Sequence, residues 1–470
     1  MRVSKLFFSS SHPFGVVGLR KAPKAIVHSY DYDNTARWCR VAYTNRKTRR
    51  DMIRIVLAGY LGRNNIGSEA RAVMTIQDVR RSIGEEVNHV QITALTLNAT
   101  NTRRYISDQT VDMQEIGSIF ALLPGILRIM FEPNDILFLT EGATFTDHFS
   151  SFFFYAFLLA TFLAKASGKK VVAYVVECGE LKPFNRRLLR YIGNKIDLII
   201  TRTEDSKRRM IRFGIKKPIH VTADMVFQYR PPDRDLALRL LKEQHVDPQK
   251  PIVAVAPKEF YWFPIRPEPW GPKQNLYHYP FYFTWTEEKC NRSREFKKDM
   301  SQYVDYLIEK LDVNVLLIAM DEMDVPISKE IHSLSKHPDH VRVISNSEYG
   351  ISGISALLSS LRFLVATRYH ACVLSIPSAI PLIGVSSDAR LKSLFREMGI
   401  IDCCVDLSTK TLCNDLICAT ERVLENEKEY RSRIADAYGH YQKRVAENSS
   451  ILRRWFVNDF QKVNRDEISS

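Results

Sequence analysis

Five short segments of the 470-residue chain carry side chains that could act on an anionic ligand. In Ala366-Thr367-Arg368-Tyr369-His370-Ala371, the apolar run FLVA delivers a guanidinium and an imidazole to one turn where a helix begins. A His at a helix start has its cation disfavoured, which suits a base or hydrogen-bonding role; the other reading is a buried structural His. Arg202 follows the run DLIIT and precedes Thr203-Glu204-Asp205-Ser206. It is either an anion clamp with paired hydrogen bonds or a surface Arg pairing with Glu204 or Asp205. Arg390, past Ser386-Ser387-Asp388-Ala389, would add a second cation from a neighbouring turn.

Gly59, Gly62, Asn65, Gly67 and Glu69 make up G-x-x-G-x-x-N-x-G-x-E. These glycines allow a tight turn and close ligand approach at a helix N-terminus, or mark an ordinary strand–helix turn capped by Ser68. The spacing is not that of a dinucleotide fingerprint. Glu141-Gly142 ends another apolar strand. Glu141 could accept hydrogen bonds from substrate hydroxyls or be an exposed turn acid. No grouping has metal-ligand spacing, so neither a metal nor an organic cofactor is expected. The eight cysteines are scattered with no C-x-x-C pair, which favours a reduced, intracellular chain.

The elements that must position these residues follow an α/β pattern. From Met52, near-continuous apolar strands alternate with helices: IRIVLAGYLG, VQITALTLN, DILFLTEGA, KKVVAYVVECG and DLIITR each precede a helical stretch. MQEIGSIFALLPGILRIM reads as a helix interrupted at Pro124, and Phe152 to Ala164 as a fully buried core helix too short to span a bilayer. After a linker holding Pro231-Pro232 the pattern resumes with PIVAVAPK, VNVLLIAMD, VRVIS, RFLVATR and PLIGVSS. Such strands signal doubly wound parallel sheets, whose ligands bind beyond the strands' C-terminal ends. The expected division is a basic extension 1–51, an N-terminal Rossmann-like domain 52–232, a C-terminal one 233–410 and a helical segment 411–470. The insertion from Phe260 to Trp285, rich in aromatics and proline, either stacks on sugar faces or packs over the cleft.

Composition bounds the partners. The chain is 45% hydrophobic and 26% charged, which excludes a disordered or low-complexity protein. A net charge of +14 points to an anionic partner or to a basic solvated surface. No basic-aromatic nucleic-acid module appears, so nucleic acid is not an expected partner. The first thirty residues contain no acid, but their apolar pieces are broken by Ser, His and Pro, against a signal peptide.

In this order and spacing, the motifs resemble those of the polysaccharide pyruvyltransferase family from Met52 to about residue 400. The matching series is the glycine motif with Glu69, the glycine turn before a long apolar helix, TRTEDS, Val221-Thr-Ala-Asp224, R-x-H-A at Arg368–Ala371, and a basic residue at 390. The resemblance implies a GT-B-like architecture, two Rossmann-like doubly wound domains facing a cleft with a helical C-terminal extension. It also implies transfer of a pyruvyl group from phosphoenolpyruvate to saccharide hydroxyls, forming a ketal on a cell-surface polysaccharide or its lipid-linked precursor. By position, Arg202, His370 and Arg390 match the family's donor-associated Arg, His and Lys, with Arg368 beside them. Arg390 stands for the usual Lys, and Ser68 for an Asp. Gly59, Gly62, Asn65, Gly67, Glu69, Glu141 and Gly142 would form acceptor- or anion-binding turns.

Two other readings stay open: a GT-B glycosyltransferase using a nucleotide sugar, and a catalytically degenerate glycan- or anion-binding protein. The expected location is cytoplasmic, at the inner face of the membrane if the basic extension docks there, with attachment peripheral and salt-sensitive.

Overall fold

A computed structural model describes residues 52–83, 89–117, 124, 125, 127, 128, 131–268, 270–278, 280–386 and 389–460. The basic extension 1–51, read above as a membrane- or polyanion-facing arm, lies outside the described residues. So do residues 118–123 of the expected Pro124-interrupted helix.

The strand β1 (Met52–Ala58) is MIRIVLA, apolar on both faces in its C-terminal half, as suits the centre of a covered parallel sheet. It pairs with β2 (His89–Thr96) on one side and β4 (Ile136–Leu139) on the other. With β3 (Val111–Glu115), β5 (Lys170–Val176), β6 (Leu198–Thr201) and β7 (Ile219–Val221), the parallel order is β3-β2-β1-β4-β5-β6-β7. The crossovers carry α1 (Ile66–Ile83), α2 (Ala99–Arg103), α3 (Ser151–Ala166), α4 (Pro183–Gly193) and α5 (Glu204–Arg212).

Helix α6 (Arg234–Glu243) leads into the second parallel sheet, ordered β13-β12-β8-β14-β15-β16. Its strands are β8 (Ile252–Ala256), β12 (Asn314–Ala319), β13 (Val341–Ser345), β14 (Phe363–Ala366), β15 (Leu382–Ser386) and β16 (Cys404–Asp406). They are joined through α7 (Glu287–Leu311), α8 (Val325–Leu334), α9 (Asn346–Ser359), α10 (Tyr369–Ser375) and α11 (Ala389–Glu397). Both sheets therefore reverse their winding beside their first strand, at β1/β4 and at β8/β14, where a crevice opens beyond the strand ends.

Four readings of the sequence are corrected. Met113–Glu115 belong to β3, paired in parallel with β2, because alternation from buried Val111 to exposed Asp112 outweighs the helical spacing of the apolar residues that follow. The short strand β16 was not expected; it pairs with β15. The insertion is not all loop: β9 (Arg266–Pro267), β10 (Leu276–His278) and β11 (Phe281–Tyr282) form a small antiparallel sheet. Its rings bury against Phe149, Phe152 and Phe153 at the start of α3. Finally, α3 is not fully buried. Phe154, Leu158 and Ala164 face the sheet, but Tyr155, Leu159 and Phe162 are exposed at spacings of four and three, one helical face.

The chain ends in α12 (Leu412–Glu425) and α13 (Glu427–Trp455), and α13 is shared by both cores. Tyr430, Ile434, Ala437, Tyr441 and Val445 pack in the second core, and Ile451, Leu452 and Trp455 in the first. Asn448 Nδ2 and Arg444 Nη2 donate to the carbonyls of Ala223 and Thr222, fixing the helix to the residues after β7. Truncating Trp455, which is 6% exposed, should therefore weaken the first core although the residue lies at the far end of the chain. Trp455→Ala is expected to lower unfolding free energy by about 3–5 kcal/mol in urea titration; a loss below about 1 kcal/mol would show that the tail is not part of that core.

Candidate functional site

The crevice is organised around Asp224, which follows β7 and is 1% exposed. Its Oδ2 accepts from Arg71 Nη1 at 3.0 Å and Arg202 Nη1 at 2.8 Å, and its Oδ1 from the Val226 N–H at 3.1 Å. Burial alone would push this carboxyl up. Arg71, His370 and Arg202 outweigh it and hold the group well below the carboxylate range.

Arg71 lies one helical turn beyond Ile66 at the start of α1 and is itself buried. Nε and Nη2 donate to the Thr140 carbonyl, and Nη2 also to the Val175 carbonyl at 2.8 Å. Val175 can offer that carbonyl because a register shift in β5 gives it φ 54, a left-handed conformation strained for a β-branched residue.

Arg202 sits at the C-terminal end of β6 and is 4% exposed. Besides Asp224 it pairs with Glu177 through Nη2, and its guanidinium lies 5.0 Å from the centre of the Tyr369 ring. Burial would lower its pKa, but Glu177, Asp224 and Tyr369 together raise it. The partners read from the sequence, Glu204 and Asp205, do not bind it. Asp205 pairs with Arg208, and Thr203 caps α5 by accepting from Ser206 N. Gly142 adjoins this group, since a Cβ there would come within 3.2 Å of Arg202 Nη1.

His370 is in the first turn of α10, behind β14, with its side chain 20% exposed. Nε2 stands 3.6 Å from Asp224 Oδ2 and has no closer hydrogen-bond partner among the described residues. On its other side the ring lies on Gly67: a Cβ there would fall 2.0 Å from Nδ1. Glycine is required at 67 because the imidazole occupies the side-chain space. Burial lowers the His370 pKa; Asp224 opposes this, and Arg202 and Arg71 add to it. The N-terminus of α1, beside Nδ1, disfavours the cation further.

The glycine motif lies alongside. Asn65 caps α1, Oδ1 accepting from Gly67 N and Ser68 N, so the cap expected at Ser68 falls three residues earlier. Asn65 Nδ2 crosses to the second domain and donates to Asp321 at 2.6 Å. Gly62 has φ +86, and its N–H donates to Glu69 Oε1 at 2.7 Å. Gly59 faces Thr140. Glu141 accepts from the Tyr60 N–H and the Ser68 hydroxyl, so it ties the turn after β4 to the glycine motif. Glu69 is fully buried, with Oε2 lacking a hydrogen-bond partner. Burial pushes its pKa up to about 8; the Gly62 N–H opposes the rise and Glu141 adds to it.

Arg390, in the first turn of α11, comes to the same pocket as Arg202, with Glu177, Asp224 and Tyr369 lining it and Tyr441 of α13 closing one side. Arg368 lies outside this lining. It grips Asp324 through Nε and Nη2, with Asp321 3.4 Å away. Among the described residues no group of three or more His, Cys, Asp or Glu could hold a metal ion. The pocket brings the guanidiniums of Arg202, Arg209 and Arg390 together with the carboxylates of Glu177, Asp205, Asp224 and Glu397, and the His370 imidazole stands beside the Arg71–Asp224–Arg202 group.

The sequence reading missed Arg71, Asp224 and Glu177 as site residues. Arg71 stands between Ala70 and Ala72 in a stretch of α1, Ile66 to Ala72, that is buried on every side, and the two flanking alanines were the only local signal. Glu177 lies in a recognised glycine turn, but nothing local in the sequence gives its distance to Arg202.

The profile of the polysaccharide pyruvyl transferase family matches residues 22–389. Comparison with curated protein sequences returns no significant match. Among solved structures, the UDP-GlcNAc 2-epimerase from Neisseria meningitidis bound to UDP-GlcNAc is 12% identical, over 87% of this chain and 100% of that one, with a TM-score of 0.56. The S. aureus MnaA–UDP co-structure is similar at 10% identity, 87% and 97% coverage and a TM-score of 0.57. A glycosyltransferase from Rickettsia africae is similar at 10% identity, 87% and 100% coverage and a TM-score of 0.52. These likenesses establish the GT-B-type fold.

Two stability measurements follow. Asp224→Asn leaves two buried guanidiniums facing a neutral group and should cost about 3–5 kcal/mol by chemical denaturation; a cost under about 1 kcal/mol would contradict the central role of Asp224. Glu69 has a folded pKa raised above its unfolded value, so wild-type stability should fall as pH rises from about 4.5 through about 8. Glu69→Gln keeps the acceptor for Gly62 without ionising, and should flatten that decline. An unchanged pH profile would refute the assignment.

Proposed function

The chain belongs to the polysaccharide pyruvyl transferase family, and on that footing we propose that it moves a pyruvyl group from phosphoenolpyruvate to hydroxyls of a saccharide, closing a pyruvate ketal. The observation that carries this reading is the convergence of Arg202 and Arg390 on one pocket beside His370. Phosphoenolpyruvate bears a carboxylate and a phosphate on one small carbon frame. Two guanidiniums in fixed positions match two anionic groups and can stabilise charge as phosphate departs.

The imidazolium form of His370, a strong acid because burial lowers its pKa, delivers its proton to the donor's methylene carbon, which becomes a methyl group and leaves C2 an oxocarbenium-like electrophile. A saccharide hydroxyl then bonds to C2 and returns its proton to the imidazole. A second hydroxyl then displaces phosphate from C2 and its proton leaves with the phosphate. The sum is one phosphoenolpyruvate and one diol giving one ketal and one phosphate. Glu141 lies on the acceptor side of this scheme, whereas Glu69 is fully buried and acts only by holding the glycine motif through the Gly62 N–H. The acceptor is a cell-surface polysaccharide or its lipid-linked precursor.

Glu177 already neutralises Arg202, so the donor must take its place or bind beside it. Glu177→Gln should lower KM for phosphoenolpyruvate several-fold; a raised KM would mean that Glu177 positions Arg202 instead. The decisive experiment is product analysis with phosphoenolpyruvate and a panel of saccharide acceptors. Ketal and phosphate should appear in equal amounts with wild type, and neither with folded His370→Ala. Undiminished phosphate release by His370→Ala would overturn its role. Turnover of a UDP- or GDP-sugar, with none of phosphoenolpyruvate, would replace the reading with nucleotide-sugar glycosyl transfer.

A further inference from the structure

We infer that the outer face of α3 and α4 docks the protein on an anionic lipid surface. The proposal does not depend on the donor chemistry. It starts from the exposed apolar face of α3. Tyr155, Leu159 and Phe162 are 37–40% exposed along one side of a helix whose only charged residue is Lys165. Such a stripe on a helix that already buries its other face is beyond what the core needs.

Helix α4 continues the same surface. Both crossovers run in the same direction along the sheet, from β4 to β5 and from β5 to β6, so right-handed connections place both helices on one face. Tyr155 Oη donates to Asn185 Oδ1 at 2.9 Å and joins them directly. Phe184 is 66% exposed and Tyr191, two turns on, is 62% exposed. Between them stand exposed Arg187 and Arg190. Neither helix contains an Asp or Glu. The flanking acids are engaged: Asp197 with Lys165, and Glu180 with Arg209 and Arg212.

Aromatic and aliphatic side chains interleaved with arginines, without acids, match the headgroup boundary of an anionic bilayer. The rings seat there among the acyl-chain ends, and the guanidiniums meet phosphates. A second copy fits poorly, because a two-fold contact on this face would set the same arginines against each other. No described helix is long and apolar enough to cross a membrane, so attachment here is on the surface. The N-terminal end of α3 packs against the aromatic insertion through Phe152 and Phe153, both on Phe281, which places the docking face next to that insertion.

The test is co-sedimentation of the full chain with mixed phosphatidylcholine–phosphatidylglycerol vesicles and with pure phosphatidylcholine vesicles. Wild type should bind the anionic vesicles, bind the neutral ones weakly, and be released by high salt. Arg187→Glu with Arg190→Glu should lower the partition coefficient by about tenfold or more. Phe184→Ser with Tyr191→Ser should do the same while keeping the wild-type unfolding temperature, and this pair decides the matter if the charge reversal fails to fold. Absence of anionic-vesicle binding would overturn the proposal. So would binding unaffected by the folded variants, which would place the contact elsewhere, such as residues 1–51. A dimer in solution that either pair disrupts, with vesicle binding unchanged, would assign the face to a second copy.

Discussion

One buried carboxylate holds the crevice together. Asp224 faces Arg71 from α1, Arg202 from the end of β6 and His370 from the other domain. A charge that deep is costly unless it is both paired and hydrogen-bonded, and here each oxygen is used. The arrangement fixes three cationic or titratable groups relative to one another across two domains. Helix α13 reinforces the same point from behind, donating to the carbonyls of Thr222 and Ala223 just before Asp224 and stacking Tyr441 on Phe227 just after it.

Around that centre the crevice divides by chemistry. On one side Arg202, Arg209 and Arg390 meet Glu177, Asp205, Asp224 and Glu397 in a pocket of mixed charge, partly walled by Tyr369 and Tyr441. On the other, the glycine motif, Glu141 and Asn65 offer carboxylates and a helix N-terminus, and Asn65 reaches Asp321 in the second domain. His370 stands between the two sides with its ring on Gly67. Arg368, two residues away, is held by Asp324 and braces the turn that presents His370. The fold is shared with a UDP-GlcNAc 2-epimerase and a glycosyltransferase at 10–12% identity, a likeness of fold alone, so the chemistry of this crevice has to be read from its own side chains.

The doubly wound architecture was legible in the sequence because buried parallel strands leave uninterrupted apolar runs such as VVAYVV and FLVA. The positions of Arg202, His370 and Arg390 at strand ends were legible for the same reason, since each follows such a run. What the chain did not reveal locally was pairing across distance. Arg202 has Glu204 and Asp205 as sequence neighbours, yet it binds Glu177 and Asp224, because the start of α5 turns its own acids outward to Arg208 and solvent. Strand β3 was missed because MQEIGSIF satisfies helical spacing, and edge pairing with β2 decided otherwise. The exposure of α3 was missed because its composition matches a buried helix; what covers a helix is a tertiary fact.

Calorimetric titration of phosphoenolpyruvate into the wild-type protein and into Arg390→Ala tests most directly whether the Arg202–Arg390 pocket is a donor site. Saturable binding to wild type, weakened by about tenfold or more in Arg390→Ala, is the expected result. Binding of equal strength in both proteins, or no binding of phosphoenolpyruvate to a wild-type protein that binds a UDP-sugar, would contradict it.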